Sequence, residues 1–367
     1  MKKSNIVLTG GHAGTTALAF IQEFKKKYPK LALFWLGAQR AVEGKNVDTL
    51  ESKFLPKEGV VFYPVFTGRI QRRFTPYAIP SFLKIPVGIL HAFYLLVKIK
   101  PKLVVSFGGF AAFPVVLVGA ILGIPVILHE QTAAAGRANR LSAFFARKIA
   151  LARESSLKYF PKDKCVVVGN PILAPIVRVK AKSELGNPPT ILISGGSRGS
   201  LTINNLINEI LEKLLARYRV IHLTGELDFE KFRQREEKLP QKLKPNYKVF
   251  ANIDPDQMAE TYAKADIVIA RAGANTVSEV LVVKRPALLI PLPFSYLDEQ
   301  TKNATFAAES GIAKVLPQQA LNSEKLLAET AGLIENWAEM VKGVQGVASP
   351  DLGAAKKLVN LCREYLT

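Results

Sequence analysis

Short apolar runs alternate with amphipathic segments along the whole chain. In the first part, the runs at residues 5–9 and 31–36 have the length and apolar character of buried strands, and residues 16–27 between them show helical spacing. A Gly-rich segment, 10–14, joins the first strand to this helix. Strands that alternate with helices are typical of parallel sheets, in which each helix crosses from one strand to the next.

The stretch 103–128 carries no charged residue and is long enough to cross a bilayer. The Gly and Pro residues within this stretch favour a different structure. A Gly-Gly turn at 108–109 follows a strand at 103–107, and a helix is predicted over 114–123, with Pro at its start and Gly at its end. A second apolar strand, 124–128, comes next. We therefore predict a strand–helix–strand unit of a parallel sheet and no membrane span.

The second half of the chain repeats this pattern. The segment 169–189 between the halves is rich in proline and poor in apolar runs, so we expect a linker there. Residues 324–367 look helical, and we expect a last helix to pack back onto the first half. The predicted fold class is α/β, with two doubly wound parallel sheets. In the second half, strands are predicted at 190–193, 220–223, 248–250, 267–270 and 287–290, and helices at 203–216, 258–264 and 275–283.

The formal net charge of the 367 residues is +20, and its distribution is uneven. Residues 1–164 carry 25 Lys and Arg against 8 Asp and Glu, whereas residues 165–367 carry 25 against 22. A basic surface attracts anionic lipid headgroups, a pyrophosphate substrate or nucleic acid. The sequence contains no helix-turn-helix, zinc-finger or RNA-recognition motif, so we expect no nucleic-acid partner. A solvated Lys-rich face that keeps the protein soluble is the alternative.

The hydrophobic and charged fractions and the cysteine count further indicate the class of protein. Hydrophobic residues make up 49% and charged residues 22%, which is typical of a globular chain. The two cysteines, Cys165 and Cys362, are too far apart in sequence for a disulfide framework or a Cys-rich zinc site. We therefore expect a reducing, cytoplasmic compartment, and the N-terminus shows no secretory signal.

Three Gly-rich loops, 10–14, 195–199 and 271–275, follow predicted strands. Ligands of such sheets bind at the carboxyl ends of strands, where Gly lets the backbone approach a phosphate and a helix N-terminus offers free N–H groups. None of the loops is a Walker loop or a complete dinucleotide fingerprint. The pattern indicates a nucleotide held by one domain, in a cleft between two domains. A purely steric need for Gly in tight strand–helix turns is the alternative.

Several motifs resemble those of the MurG family of glycosyltransferases. The most specific block is Arg271-Ala-Gly-Ala-Asn-Thr-Val-Ser-Glu279, followed by Pro286-Ala-Leu-Leu-Ile-Pro291 and Asp298-Glu-Gln-Thr-Lys-Asn-Ala304. Further runs match the family in order and spacing: Ser106-Phe-Gly-Gly-Phe110, Gly123-Ile-Pro-Val-Ile-Leu-His-Glu-Gln131, Gly169-Asn-Pro171, Gly195-Gly-Ser-Arg-Gly199 and Met258-Ala-Glu-Thr-Tyr-Ala-Lys-Ala-Asp266.

The resemblance implies a two-domain GT-B fold and an inverting transfer of N-acetylglucosamine. The donor would be UDP-N-acetylglucosamine, and the acceptor would be the C4 hydroxyl of the muramoyl sugar of lipid I, which gives lipid II for peptidoglycan. No cofactor or metal is expected. The expected organisation is an N-terminal acceptor and membrane domain, 1–168, a linker, 169–189, a UDP-sugar domain, 190–335, and C-terminal helices, 336–367. A divergent GT-B relative is the alternative: another UDP-sugar transferase, an epimerase or a non-catalytic binder.

The resemblance also assigns donor-site residues in the second half. Glu279 would bind the ribose diol, Ser197 the phosphates, and Gln300 the sugar hydroxyls with support from Asn303. The alternatives are a favourable charge on a helix for Glu279, a helix N-cap for Ser197 and a solvated loop for Gln300. Ile253 would lie beside uracil. The other candidate donor-site residues are Gly195, Gly196, Arg198, Gly199, Arg271, Gly273, Ala274, Asn275 and Thr276.

On the acceptor side, the chain departs from the family pattern. The first Gly-rich loop is two residues shorter than usual, so His12 does not align with the family's loop histidine. We nevertheless expect His12 to be the base, with Glu130 as the second catalytic candidate and a structural loop histidine as the alternative. Leu173 replaces an Arg that usually follows Gly-Asn-Pro, and Arg198 is the candidate to compensate. The other acceptor-side candidates are Gly10, Gly11, Gly14, Thr15, Gly108, Gly109, Thr132 and Asn139.

Residues 66–102 have the composition of a segment that binds the surface of an anionic membrane. Basic residues are interleaved with apolar and aromatic ones, and no acidic residue occurs among them. We expect peripheral binding at the cytoplasmic face of the cell membrane, with Pro76, Pro80 and Pro86 breaking any long helix. An ordinary buried helix over 87–97 with a basic rim is the alternative. The basic residues are Arg69, Arg72, Arg73, Lys84, Lys98, Lys100 and Lys102.

Overall fold

The computed structural model describes residues 5–11, 13–40, 48–68, 78–196 and 198–366, with the backbone alone for 78–83. The chain divides into two compact units. The first comprises residues 1–172 and 353–367, and the second comprises residues 173–352. Each unit is built around its own parallel sheet.

The sheet of the first unit has the strand order β3-β2-β1-β4-β5-β6-β7, and every pair is parallel. The elements in chain order are β1 (Asn5–Gly10), α1 (Gly14–Lys27), β2 (Ala32–Gly37), α2 (Leu50–Phe54), β3 (Val61–Pro64), α3 (Ala78–Ile99), β4 (Leu103–Ser106), α4 (Ala112–Ile121), β5 (Val126–Glu130), α5 (Arg137–Ser142), β6 (Lys148–Leu151) and β7 (Cys165–Val167). The order reverses between β1 and β4, so the loops after these two strands lie side by side at the switch point.

The sheet of the second unit has the order β10-β9-β8-β11-β12-β13, again parallel throughout, and its switch point lies between β8 and β11. The elements are α6 (Ala174–Val177), β8 (Thr190–Ser194), α7 (Leu201–Leu215), β9 (Arg219–Leu223), α8 (Phe229–Glu237), β10 (Tyr247–Phe250), α9 (Met258–Lys264), β11 (Ile267–Ala270), α10 (Ala274–Val283), β12 (Ala287–Leu289), α11 (Glu299–Glu309), β13 (Ala313–Val315), α12 (Ser323–Glu335) and α13 (Trp337–Gly343). The predicted α/β class with two doubly wound parallel sheets is confirmed.

The last helix, α14 (Ala354–Leu361), belongs to the first unit, where it packs against α1. Its apolar side is buried at Leu358 and Val359, and the ammonium group of Lys27 donates a hydrogen bond to Asn360. The chain therefore returns to the first unit after completing the second.

The helix α3 corrects one prediction from the sequence. Pro80 and Pro86 do not break it, since the backbone is helical without interruption from Ala78 to Ile99. Pro80 is tolerated because it lies in the first turn, where the backbone N–H has no partner within the helix. Pro86 removes one interior hydrogen bond, but burial of one face of the helix, at Leu95 and Leu96 for example, holds the helix in place against α4.

A buried polar network lies in the second unit around His222. Its Nδ1 is 3.0 Å from Tyr247 Oη and its Nε2 is 3.1 Å from Asn204 Oδ1. The Asn204 amide in turn donates to Asp228 at 2.7 Å. Burial lowers the pKa of His222 to about 3, so the ring is neutral and structural.

Candidate functional site

At the switch point of the first unit, the loops after β1 and β4 are in direct contact. The backbone N–H of Gly11 donates to the carbonyl of Gly108 at 2.8 Å. Gly109 has a φ of 91°, and a Cβ there would lie 2.9 Å from the Gly11 nitrogen. Both conditions exclude a side chain at Gly109, so this glycine is needed to bring the two loops together.

Two other glycines of the first loop have packing roles. A Cβ on Gly10 would lie 3.0 Å from the Trp35 ring, and one on Gly14 would lie 2.9 Å from Leu50 Cβ. Ala13, just before α1, donates its N–H to Glu51 Oε1 at 2.9 Å, and Glu51 is only 2% exposed. A buried carboxylate thus occupies the N-terminus of α1, where the helix dipole favours negative charge. Sequence reasoning missed Glu51, because it lies 38 residues from its partner.

Glu130, at the end of β5, is 2% exposed and accepts four hydrogen bonds. Its Oε1 accepts from the N–H and the hydroxyl of Thr132 at 3.0 and 2.8 Å. Its Oε2 accepts from the N–H of Gly136 and the amide of Asn139, both at 2.9 Å. The carboxylate therefore holds the loop after β5 to the start of α5.

Asn139 connects this loop to the switch point. Its amide nitrogen also lies 3.3 Å from the carbonyl of His129, and its Oδ1 is so close to Gly108 that a Cβ on Gly108 would overlap it. The structure thus brings Gly11, Gly108, Gly109, Glu130, Thr132 and Asn139 into one cluster. Thr15 is half-buried in the first turn of α1. His12 lies outside the described residues.

Sequence reasoning also missed a second polar contact in the first unit. The hydroxyl of Thr16, in α1, lies 3.2 Å from Gln131 Oε1 and 3.3 Å from Asn170 Oδ1. Asn170 is fully buried. These residues stand in the His-Glu-Gln and Gly-Asn-Pro runs, so the signal was present in the motifs, but their shared partner Thr16 is far away in sequence.

At the switch point of the second unit, the loop after β8 is tightly folded. Gly195 and Gly199 have no room for a Cβ, against Ser200 and Thr224 respectively. Gly196 has a φ of 82° with open space beside it, and Arg198 is exposed. The N-cap of α7 is Ser200, whose hydroxyl accepts from the N–H of Ile203 at 3.4 Å. Ser197 lies outside the described residues.

Arg271, after β11, is 8% exposed and directs its guanidinium into the unit. It donates to the Ser200 hydroxyl at 3.1 Å, to the Ile290 carbonyl at 3.2 Å and to Gln318 Oε1 at 2.7 Å. Burial lowers the pKa of Arg271 from its usual value. The guanidinium therefore ties the loops together. Because these partners are all neutral, they do not cancel its positive charge, which remains at the switch point.

The helix α10 begins directly after this loop. Its N-cap is Gly273, which is extended and has no side chain of its own to cap the helix. The first-turn residues Ala274, Asn275 and Thr276 are half-exposed. Such a terminus presents N–H groups and a partial positive charge toward an anion.

Glu279 lies one turn further along α10 and is partly exposed. Its Oε2 accepts a hydrogen bond from Tyr262 Oη at 2.8 Å. Burial raises the pKa of Glu279 to about 7, and the bond from Tyr262 opposes this rise. Tyr262 stands in the motif at residues 258–266, but sequence reasoning did not predict it as a site residue.

The remaining donor-side candidates lie on α11 and after β10. Asn303 is buried and donates its amide to the Ala272 carbonyl at 3.2 Å, which fixes α11 beside the loop before α10. Gln300 Oε1 accepts from the N–H of Leu292 at 2.9 Å. Ile253 is half-buried in the segment that follows β10. Among the described residues, no three His, Cys, Asp or Glu side chains come close enough to share a metal ion.

Comparison with known proteins gives matches over both units. Residues 6–151 match the glycosyltransferase family 28 N-terminal domain, and residues 190–344 match the family 28 C-terminal domain. A UDP-N-acetylglucosamine--N-acetylmuramyl-(pentapeptide) pyrophosphoryl-undecaprenol N-acetylglucosamine transferase of Lactococcus lactis subsp. cremoris is 30% identical over 98% of this chain and 99% of its own. The enzyme of the same name from Clostridium tetani is 31% identical over 100% and 99%.

The chain belongs to the MurG family of glycosyltransferases. The crystal structure of Acinetobacter baumannii MurG has a TM-score of 0.69 and 26% identity, and covers 98% of this chain and 99% of its own. A UDP-GlcNAc 2-epimerase from Neisseria meningitidis has a TM-score of 0.63 at 14% identity, which shows a shared fold alone. The predicted GT-B fold and the glycosyltransferase class are confirmed.

One departure from the MurG pattern can now be placed in the structure. Leu173, which stands where the family usually has Arg, is 2% exposed and adjoins the short helix α6. An apolar side chain in this position cannot contact a pyrophosphate. Arg198 is an exposed cation in the loop after β8, whereas Arg271 is a buried cation whose guanidinium is bonded within the second unit.

Proposed function

We propose that this chain transfers N-acetylglucosamine from UDP-N-acetylglucosamine to the C4 hydroxyl of the muramoyl sugar of lipid I, giving lipid II. The observation that carries the proposal is the match, over nearly the full length of both chains, to transferases whose names state this donor and an N-acetylmuramyl pyrophosphoryl-undecaprenol acceptor. The hydroxyl oxygen forms a bond to the anomeric carbon, the bond from that carbon to UDP breaks, and the hydroxyl proton passes to a base.

In this proposal the second unit binds the donor. Glu279 accepts hydrogen bonds from the ribose hydroxyls, since its carboxylate is partly exposed and keeps most of its acceptor capacity. The N-terminus of α10 and the loop 195–199 bind the pyrophosphate and stabilise its charge as it leaves. Arg198 supplies the cation that Leu173 lacks. Gln300 and Asn303 bind or support the sugar, and Ile253 lies beside uracil.

The first unit binds the acceptor, and we assign the base to His12. The four donors around Glu130 occupy its carboxylate, which suits a group that positions the loop after β5 better than one that takes up a proton. Gly11, Gly108 and Gly109 carry no side chains, so the acceptor pyrophosphate can approach the backbone of these two loops.

The transfer itself is tested with sugar-labelled UDP-N-acetylglucosamine and a lipid I analogue. We expect label in the lipid product and little release of label without acceptor. Epimerisation of the sugar in the absence of acceptor, or binding without turnover, would favour the divergent GT-B relative instead.

Replacement of His12 by Ala tests the assignment of the base. We expect turnover to fall about 10²–10⁴-fold, because general-base assistance is lost, while the affinity for the donor is largely kept. Single-turnover rates and donor affinity, measured on the same preparation, separate the two effects. Near-normal turnover would show that His12 is not the base.

The acceptor lipid also requires a membrane-facing surface, and we propose that α3 provides it at an anionic membrane. One face of α3 exposes apolar and aromatic side chains, including Leu90 at 71% and Tyr94 at 59%, and Lys84 and Lys98 are exposed on the same helix. Phe66, 66% exposed, stacks on His91 beside them. No helix of the described residues combines the length with the apolar character that a membrane span needs.

Vesicle binding tests this surface. We expect salt-sensitive binding to vesicles that contain phosphatidylglycerol, because each basic group near an anionic surface contributes about 1 kcal/mol. The change of Arg69, Arg72 and Arg73 to Glu should weaken binding strongly; these three residues lie outside the described part of the chain. The matched control changes three exposed cations of the second unit, Lys213, Arg217 and Lys242, to Glu. Equal loss of vesicle binding in both triple variants would show that net charge alone drives binding. It would contradict the proposal that the segment 66–102 binds the membrane.

A further inference from the structure

Among the residues that the structure describes, the carboxylate of Glu279 has one hydrogen-bond donor, the phenol of Tyr262. Tyr262 lies in α9, is 2% exposed, and its Oη is 2.8 Å from Glu279 Oε2. A carboxylate offers about four acceptor positions. The bond from Tyr262 uses one position on Oε2, so Oε1 and the second position on Oε2 stay available to a ligand.

We propose that Tyr262 is a positioning residue of the donor site, whose phenol holds the Glu279 carboxylate in the orientation that accepts the two ribose hydroxyls. This inference rests on the proposed function of Glu279. Tyr262 would act through the carboxylate and not by contact with the ribose, because its side chain is almost completely buried.

The position of Tyr262 is itself fixed by a second buried residue. Arg285, 1% exposed, donates its Nε to the carbonyl of Tyr262 at 3.2 Å and to that of Ala265 at 2.9 Å. The same guanidinium donates to the Val283 carbonyl at the end of α10 at 2.7 Å. Arg285 therefore clamps the helix that carries Tyr262 to the helix that carries Glu279, and the phenol–carboxylate geometry is preorganised.

The surroundings of Glu279 make this single bond important for its charge. Burial raises the pKa of Glu279 to about 7, and the hydrogen bond from Tyr262 favours the ionised form. In the described residues, no other titratable side chain is its hydrogen-bond or ion-pair partner. The helix α6, which packs on α10, carries no titratable residue; the titratable residues on the other helices near Glu279 are Glu260 and Lys264 on α9, Lys284 after α10, and Glu299, Lys302 and Glu309 on α11.

This arrangement has a consequence for binding. A diol donates two hydrogen bonds to an ionised carboxylate, whereas a protonated carboxyl has lost part of its acceptor capacity. Affinity for the donor should therefore rise with pH through about 7, and binding below that pH should release a proton from Glu279. Loss of the Tyr262 hydroxyl removes the bond that favours the anion, so the pKa of Glu279 should rise further and the affinity profile should move to higher pH.

The test is calorimetric titration of the full chain with UDP-N-acetylglucosamine, whose pyrophosphate diester does not titrate near neutral pH. The variants are Tyr262→Phe, Glu279→Gln and, as a matched control, Tyr247→Phe. Tyr247 is also a buried tyrosine of the second unit, but it is bonded to His222 and not to a donor-site residue. Thermal melting of each variant checks that it is folded.

For Tyr262→Phe we expect affinity about five-fold weaker than wild type near pH 7, with the difference falling below about two-fold near pH 8.5, as for a shift of about one pKa unit. Tyr247→Phe should follow the wild-type profile. Glu279→Gln should bind weakly with no dependence on pH in this range and no proton release attributable to residue 279.

Two kinds of failure are distinguishable. If Glu279→Gln binds the donor as tightly as wild type at every pH, the ribose assignment of Glu279 is wrong, and the inference fails with it. If Glu279→Gln is impaired but Tyr262→Phe matches wild type at every pH, or is weakened equally at every pH, the ribose assignment survives. Tyr262 would then have no role in positioning the carboxylate or only a structural one.

Discussion

The two units each place a glutamate near their switch point, and the two carboxylates are used in opposite ways. Glu130 is buried and accepts four hydrogen bonds from its own chain, three of them from a single short loop. Glu279 is partly exposed and, within the described part of the chain, accepts one, from Tyr262. The first carboxylate is committed to holding the backbone, whereas the second keeps acceptor capacity for a ligand.

A motif match does not distinguish a ligand-binding carboxylate from a structural one. Both glutamates stand in runs that resemble the family, His129-Glu-Gln131 and the block that ends at Glu279. The number of donors that the fold supplies separates them. A buried carboxylate satisfied by several donors stabilises the loop that bears them, and one that is left under-satisfied has its pKa raised by burial and is available for binding.

The largest effect is expected for Glu130→Ala. The N–H groups of Thr132 and Gly136 and the amide of Asn139 would lose their acceptor, which should cost about 3 kcal/mol or more in free energy of unfolding of the first unit, and transfer activity with it. Hydrogen exchange at the Thr132 and Gly136 amides reports the loss directly. Glu130→Gln, which keeps part of the acceptor capacity, is the control. Unchanged exchange at both amides in Glu130→Ala would remove the distinction between the two glutamates.

An intermediate effect is expected for Glu279→Ala on ligand affinity. Loss of hydrogen bonds from the ribose diol to a charged acceptor should weaken UDP binding by about 1–3 kcal/mol. The fold of the second unit should persist, because among the described residues only the Tyr262 hydroxyl loses a partner. Titration calorimetry with UDP measures the change, and unchanged affinity would contradict the ribose assignment.

The smallest effect is expected for the dependence of the unfolding free energy on pH. The pKa of Glu279 is about 7 in the folded chain against 4.5 as its reference value, so folding favours the protonated carboxyl. The contribution of Glu279 to stability is therefore greatest below about pH 4.5 and is lost as pH rises to about 7. The side chain of Glu279→Gln cannot ionise. The unfolding free energy of this variant relative to wild type should therefore increase by about 1–2 kcal/mol across this pH window. The increase is smaller than a fully buried carboxyl would give, because Glu279 is partly exposed.

Urea unfolding of wild type and Glu279→Gln at several pH values checks this prediction, with fluorescence and circular dichroism compared because the two units can unfold separately. A pH-independent difference between the two proteins would show that the Glu279 carboxyl has an ordinary pKa. In that case its single bond from Tyr262 would suffice to keep it ionised throughout.

Much of the fold follows from local patterns. The apolar runs predicted for the strands lie within β1, β8, β11 and other buried strands, because central strands of parallel sheets are apolar on both faces and stand out in sequence. The short strands β3 and β7 lie at the two edges of their sheet and were not predicted, because runs of three or four residues are too short to show a periodicity. The helix α3 was expected to break at proline, and packing of its buried face against α4 overrode the local preference.

The sequence by itself determined the fold class, the family and the loops that carry the candidate site, because periodicity, Gly positions and motif spacing are local properties of the chain. Only the tertiary structure decided the roles of individual polar groups. Glu51 reaches Ala13, Tyr262 reaches Glu279 and Thr16 reaches Asn170 across 17 to 154 residues of sequence. Hydrogen-bond satisfaction and burial depend on which distant segments meet, and these two quantities separate the committed carboxylate of Glu130 from the available one of Glu279.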